Sequence, residues 1–140
     1  MKNFKNKVAL ITGAGSGIGR ALATQLAESG CNLALVDWNE ETLKETEEIV
    51  RKKNVSVSLH PFDLREKEKI ESLPDEIIEI HNQIDVVINN AGLSIIGTVD
   101  EVDEEDWNFG VDILLNAVIQ MSTVFPVSYT HLTLPTTPYV

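Results

Sequence analysis

Thr12-Gly13-Ala14-Gly15-Ser16-Gly17-Ile18-Gly19 places glycines at four alternate positions from 13 to 19. Glycine lets a backbone turn sharply and come close to a ligand with no Cβ in the way. If a helix starts at this turn, its free N–H groups, with a partial charge of about half a proton, form a site for an anion such as a pyrophosphate. An ordinary tight loop is equally rich in glycine, so flanking structure must decide: KVALIT before the turn reads as a strand, and a helical period follows it. A nucleoside-triphosphatase loop needs Gly-Lys-Ser/Thr at its end. Here the turn closes on Gly19-Arg20-Ala21, which excludes that chemistry.

Asp37 stands 18 residues beyond Gly19 at the end of a second apolar run. A carboxylate there can accept both hydroxyls of an adenosine ribose, and it repels a 2′-phosphate. Trp38 and Asn39 follow it in place of an arginine or lysine, so the pattern favours NAD, with NADP the less favoured cofactor. Asn39 is the better candidate for capping the next helix. His60, His81 and His131 have no metal-ligand spacing with cysteine or paired carboxylates and read as surface or loop histidines, so no metal is expected. The single cysteine, Cys31, opens an apolar run and reads as a buried structural thiol.

These residues need elements to position them. Lys7 to Thr12 is a short apolar strand of the kind buried on both faces of a parallel sheet. Ile18, Ala21, Leu22, Leu26 and Ala27 recur at helical spacing, and Gly30 falls where a left-handed cap is needed. A second strand spans Asn32 to Val36. The helix after it, from about Glu40 to Lys53, is acidic at its start and basic at its end, complementing its dipole. Val55 to Leu59 is a third strand, the next segment is helical with a break or restart at Pro74, and Asp85 to Ile88 is a fourth strand. Asp103 reads as an N-cap. The helix from Trp107 to Phe125 is apolar almost all round, so it should be covered on both sides, by the sheet and by a partner subunit. Alternating strands and helices specify an α/β, Rossmann-type doubly wound parallel sheet, truncated to about its first four strands.

At 140 residues and 43% hydrophobic content, one domain with a core is the ceiling. A net charge of -11 argues against nucleic acid or an anionic membrane as partner. The first residues lack the apolar region of a signal peptide, and no later stretch reads as a membrane span, so a cytoplasmic protein is expected.

Two further signatures complete a pattern: Asp63 after the third strand, and Asn89-Asn90-Ala91-Gly92 after the fourth. With the turn Thr12 to Gly19, the chain resembles the short-chain dehydrogenase/reductase family from about Phe4 to Phe125. The resemblance implies that Gly13, Ser16, Gly17, Ile18 and Gly19 hold the pyrophosphate and that Asp37, with Trp38 beside it, holds the adenosine ribose. It implies that Asp63 and the Leu64 amide read the adenine edge, and that Asn90, Ala91 and Gly92 line the cofactor and stabilise the centre of the sheet. The implied activity is hydride transfer between NAD(P) and an alcohol or carbonyl substrate, in a homo-oligomer built through helix 107–125.

Members of that family exchange the proton with a serine and a Tyr-x-x-x-Lys. Neither occurs here, since Tyr129 is followed four residues on by Thr133 and Tyr139 has no residue four on, so no catalytic residue is assigned and the chain is expected to be inactive. The family's helix asparagine would fall at Leu114, and Asn116 lies about 200° round the helix from that position. That departure keeps open an alternative, a dinucleotide-binding sensor or regulatory module without catalysis. From Pro126 the helical period stops, and Val127 to Thr136 resembles the translation of a transposon-type library adaptor, GTC TCT TAT ACA CAT CTG ACG CTG CCG ACG. Residues 1–125 are therefore expected to be the native half-domain and 126–140 a non-native tail.

Overall fold

The computed structural model describes residues 3–98 and 100–128, with side chains as far as Phe125. Four parallel strands, β1 (Val8–Thr12), β2 (Asn32–Asp37), β3 (Val57–Pro61) and β4 (Val86–Ile88), lie in the order β3-β2-β1-β4. Every residue of β1 is buried, as the central strand of a parallel sheet requires. Alternation along the strands divides the core in two. Ala9, Ile11, Leu33 and Leu35 meet Ala23 and Ala27 of α1 (Gly17–Glu28) and Leu43 and Val50 of α2 (Glu40–Arg51). Val8, Leu10, Ala34 and Val36 meet Ile70, Leu73 and Ile77 of α3 (Lys67–His81) on the other face. Each fully buried Leu or Ile side chain contributes about 1.5–3 kcal/mol.

Helices start and stop where local chemistry allows. Asn39 caps α2 by accepting the Thr42 N–H at 3.1 Å. Gly30 takes φ +78° one residue past the Ser29 C-cap of α1, a backbone that favours glycine. The third strand begins two residues later than expected, because Asn54 at φ +58° first turns the chain out of α2. Asp85 stands just before β4 and accepts the Val8 N–H and the Lys7 ammonium, each at 2.8 Å, pinning the start of β4 to that of β1.

Two expectations are corrected. Pro74 does not break its helix: α3 runs unbroken through it, with Pro74 buried, and ends at Asn82 in the left-handed region. Losing one backbone bond at a proline costs about 3 kcal/mol, which the wholly buried Ile70, Leu73 and Ile77 offset. The last helical segment is also more composite than its periodicity predicts. It consists of α4 (Glu104–Val111), capped by the Asp103 carboxylate at 2.9 Å, a π-helical stretch over Asp112–Asn116, and α5 (Ala117–Ser128). Ala117, Met121 and Phe125 pack on the sheet and α3, whereas Trp107, Leu114, Leu115 and Ile119 are about half exposed. The described residues cover one side of this helix only.

Helix Glu104–Phe125 is also long and apolar enough, by length and composition, to cross a membrane, where the sequence predicts no such span. Its apolar residues serve two faces at once, and one of those faces is committed to the sheet. The tail is expected to begin at Pro126 with the end of the helical period, yet α5 runs on to Ser128; residues 129–140, with Tyr129, His131 and Tyr139, lie outside the described residues.

Candidate functional site

A cleft of about 860 Å³ opens at the C-terminal ends of the strands. The strand order reverses direction between β1 and β4, and open α/β sheets bind their ligands at such a switch point. The cleft brings together Gly13, Ser16, Gly17, Ile18, Asp37, Trp38, Asp63, Leu64, Asn90, Ala91 and Gly92. Gly19 stands behind it, buried, where a Cβ would collide with the Gly13 carbonyl.

The turn from β1 into α1 is shaped by its glycines. Gly13 takes φ +67°, and a Cβ on it would lie 2.8 Å from the Ala91 Cα. Gly17 takes φ +50°, and a Cβ there would meet nothing within 4 Å. Its open side is therefore a cradle that a ligand can enter and a side chain would fill. Ser16 caps α1 through its backbone, with no side-chain cap bond, so the first N–H groups of that helix keep no intrahelical partner. A diphosphate suits this donor set in charge and shape.

Asp37 faces the turn from the end of β2. Its carboxylate accepts the Gly15 N–H at 2.8 Å and the Asn39 N–H at 3.0 Å. Each oxygen retains lone-pair capacity for a further donor such as a ribose hydroxyl. Trp38, 78% exposed, stands beside it at the rim. Across the cleft Asp63 is held by Arg65, whose Nη2 lies 2.6 Å from Oδ2 and whose N–H donates to Oδ1 at 2.9 Å. The guanidinium holds the Asp63 carboxyl below the usual carboxylate range. The same guanidinium sits over the Phe109 ring at 4.6 Å and so ties this loop to α4.

Asn90 stitches the ends of β4 and β1 together. Its amide donates to the Thr12 and Gly13 carbonyls at 3.0 and 3.3 Å, and the Thr12 hydroxyl accepts the Asn90 and Ala91 N–H groups, each at 3.0 Å. Leu114 lines the cleft, and its Cδ2 would lie 3.4 Å from a Cβ on Gly92. Asn116 is exposed and turned to the Asp112 carboxylate at 2.8 Å, away from the cleft. Sequence reasoning passed over Thr12, Arg20, Thr46 and Arg65. The signal for Thr46 was present, since it falls on the Leu43–Val50 face of α2 as the polar member of an apolar row.

Away from the cleft the histidines correct their expected place. His60 is buried on β3, not on a surface or loop, and His81 closes α3 half-buried. The Ser58 Oγ lies 2.9 Å from Nε2 of each, and His60 Nδ1 lies 3.3 Å from the Glu76 carboxylate. A carboxylate can only accept, so Nδ1 of His60 carries the proton, its Nε2 accepts from Ser58, and His81 donates to Ser58. Strand alternation puts residues 58 and 60 on one face, and burial leaves no room for unpaired polar atoms there. Cys31 is buried as expected, and burial pushes its thiol up to about 11.

A parallel sheet wound on both faces, with a glycine turn and a strand-end carboxylate at its switch point, is a Rossmann-type α/β fold, represented here by four strands. The chain belongs to the short-chain dehydrogenase family, whose family model matches residues 7–127. It is 34% identical over 128 residues to a CLA biosynthesis dehydrogenase/reductase of Lactiplantibacillus plantarum, covering 91% of this chain and 45% of that protein. The structure resembles an NAD+-bound xylitol dehydrogenase with a TM-score of 0.86 at 31% identity, over 91% of this chain and 49% of the other. It also resembles a metagenomic short-chain oxidoreductase in complex with NADP, with a TM-score of 0.83 at 25% identity, over 89% of this chain and 57% of the other. The chain thus spans about half the length of the relatives it matches.

Proposed function

We propose that the cleft binds a nicotinamide dinucleotide and that the whole protein transfers a hydride between this cofactor and an alcohol or carbonyl substrate. The observation that carries the reading is the pairing, at the switch point, of an open glycine cradle at Gly17 with the Asp37 carboxylate on the next strand. In this reading Gly13, Ser16, Gly17, Ile18 and Gly19 hold the pyrophosphate. Asp37 accepts the adenosine ribose hydroxyls with Trp38 alongside, and Asp63 and Leu64 meet the adenine edge. Asn90, Ala91 and Gly92 form the floor. The bound nicotinamide would supply the hydride acceptor or donor, while this chain places the cofactor.

NAD is the proposed cofactor, because a carboxylate at position 37 with no adjacent cation opposes a 2′-phosphate. Related structures hold either NAD+ or NADP. The proton-exchanging groups belong to no described residue of this chain, so the reading gives the chain binding without turnover. Leu114 beside Gly92 favours a second reading, a sensor that binds the dinucleotide without reducing a substrate. A homo-oligomer through the helix of residues 107–125 and a cytoplasmic location complete the proposal.

Calorimetric titration of the chain with NAD, NADP and ADP-ribose tests the binding reading. Saturable 1:1 binding of NAD and ADP-ribose, with NADP weaker, supports it, and the absence of binding by all three overturns it. Carbonyl reduction with NADH by the whole protein separates the enzyme from the sensor.

A further inference from the structure

We propose that Arg20 and Thr46 are positioning residues of the anion turn, forming a latch through which α2 fixes Ala14 and Gly15 and so aims the start of α1 into the cleft. The proposal rests on the dinucleotide reading above and adds to it two residues that touch no cofactor.

Thr46 is wholly buried in the middle of α2. A β-branched hydroxyl residue is a poor choice there, both for the helix and for burial. Its position follows from a contact made 32 residues away in the chain: its hydroxyl lies 2.9 Å from the Ala14 carbonyl and 3.2 Å from the Thr42 carbonyl. It has one proton, and the shorter contact takes it to Ala14. A lone pair of the same hydroxyl receives the Arg20 Nε–H at 3.0 Å. Arg20 Nη2 in turn donates to the Gly15 carbonyl and reaches the Thr42 carbonyl at 3.1 Å and the Glu45 carboxylate at 2.7 Å. One guanidinium therefore joins α1, the turn and α2.

Taken together, two successive residues of the turn have every backbone polar group committed. The Ala14 N–H donates to the Val36 carbonyl at 3.1 Å and its carbonyl accepts from Thr46. The Gly15 N–H donates to Asp37 and its carbonyl accepts from Arg20. There is no space to spare in this arrangement, since a Cβ on Gly15 would lie 2.5 Å from the Thr42 Oγ1 and 2.9 Å from the Asp37 carboxylate. The next glycine, Gly17, is open on its cleft side. With the chain pinned just before it and helical just after it, the free N–H groups have a single direction. A donor set that is ordered before the ligand arrives binds more tightly than one the ligand must order.

Loss of the latch therefore weakens binding of phosphates more than binding of the nucleoside, which reaches Asp37 but carries no phosphate. Dissociation constants for ADP-ribose and adenosine, measured by NMR titration of the 140-residue chain with Thr46→Val, Thr46→Ser and Arg20→Met, test this alongside thermal melts. T46V and R20M should weaken ADP-ribose about tenfold and leave adenosine unchanged, while T46S should bind as the parent does. Equal losses for both ligands, no loss in a folded variant, or failure of serine to rescue overturns the latch. If T46V does not fold, R20M, whose side chain is partly exposed, decides alone. A parent chain that binds neither compound overturns the dinucleotide reading and the latch together, whereas parent binding with unaltered variants overturns the latch only.

Discussion

Asp37 acts on the turn and on the ligand space at once, because the carboxylate that would meet a ribose also accepts the Gly15 N–H. A substitution there must keep the second contact if it is to report on the first. Asp37→Asn keeps an oxygen for Gly15 and removes the charge that opposes a 2′-phosphate. We expect it to weaken NAD about tenfold, the loss of a hydrogen bond to a charged group, and to narrow the gap between NAD and NADP, with both constants measured by calorimetry. An unchanged NAD-to-NADP ratio would remove Asp37 from the specificity assignment. Cys31 offers a second test at this scale. Its thiol is buried and held at about 11, so little thiolate exists near neutral pH. A disulfide reagent at pH 7.5 should label it only as the chain unfolds, at a rate that urea accelerates. Prompt labelling in the absence of denaturant would contradict the packing of β2 against α1.

The elements differ in how far local sequence specifies them. The turn from Thr12 to Gly19 was legible because glycine spacing, strand and helix all lie within about twenty residues, where periodicity and backbone chemistry speak directly. Asp37 and Asn90 could be placed because they end apolar runs. The latch was not legible as such: Arg20, Thr42 and Thr46 become neighbours only when α1 and α2 lie side by side on one face of the sheet. The same holds for Ser58, His60, Glu76 and His81, which β3 and α3 assemble from separate stretches. Pro74 misled because local propensity was outweighed by the apolar row on either side of it.

That β3–α3 contact has a pH signature. Burial lowers the His60 affinity for a second proton, although the Glu76 carboxylate partly opposes this, and burial followed by the His60 charge lowers that of His81. Both folded values lie below the unfolded value of about 6.5, so the unfolded chain binds more protons in the window beneath it. Stability from these groups is then fully present above about pH 6.5 and is lost as the pH falls below it. The melting temperature should decline from pH 7 towards pH 5.5, and His60→Gln should flatten that decline. A parent profile that is level across this interval would show that the histidines titrate alike in both states.

At the scale of the molecule, the sheet has helices on both faces, while its β4 edge has no strand partner among the described residues. The outward face of α4, the π-helical stretch and α5 adds Trp107, Leu115 and Ile119, each about half exposed. Apolar area of this extent on a helix that is otherwise well packed marks a contact surface or an aggregation liability. The inward row of Ala117, Met121 and Phe125 is independent of it, so the two faces can be altered separately. Leu115→Glu combined with Ile119→Glu should convert a self-associating chain into a monomer by analytical ultracentrifugation, with the ADP-ribose affinity unchanged because neither residue lines the cleft. Met121→Ala, on the inward face, should instead destabilise the fold by about 2–5 kcal/mol in urea titration without changing the association state. If the double glutamate variant self-associates as the parent does, the outer face is not what brings the chains together, and the unpaired β4 edge becomes the surface to block next.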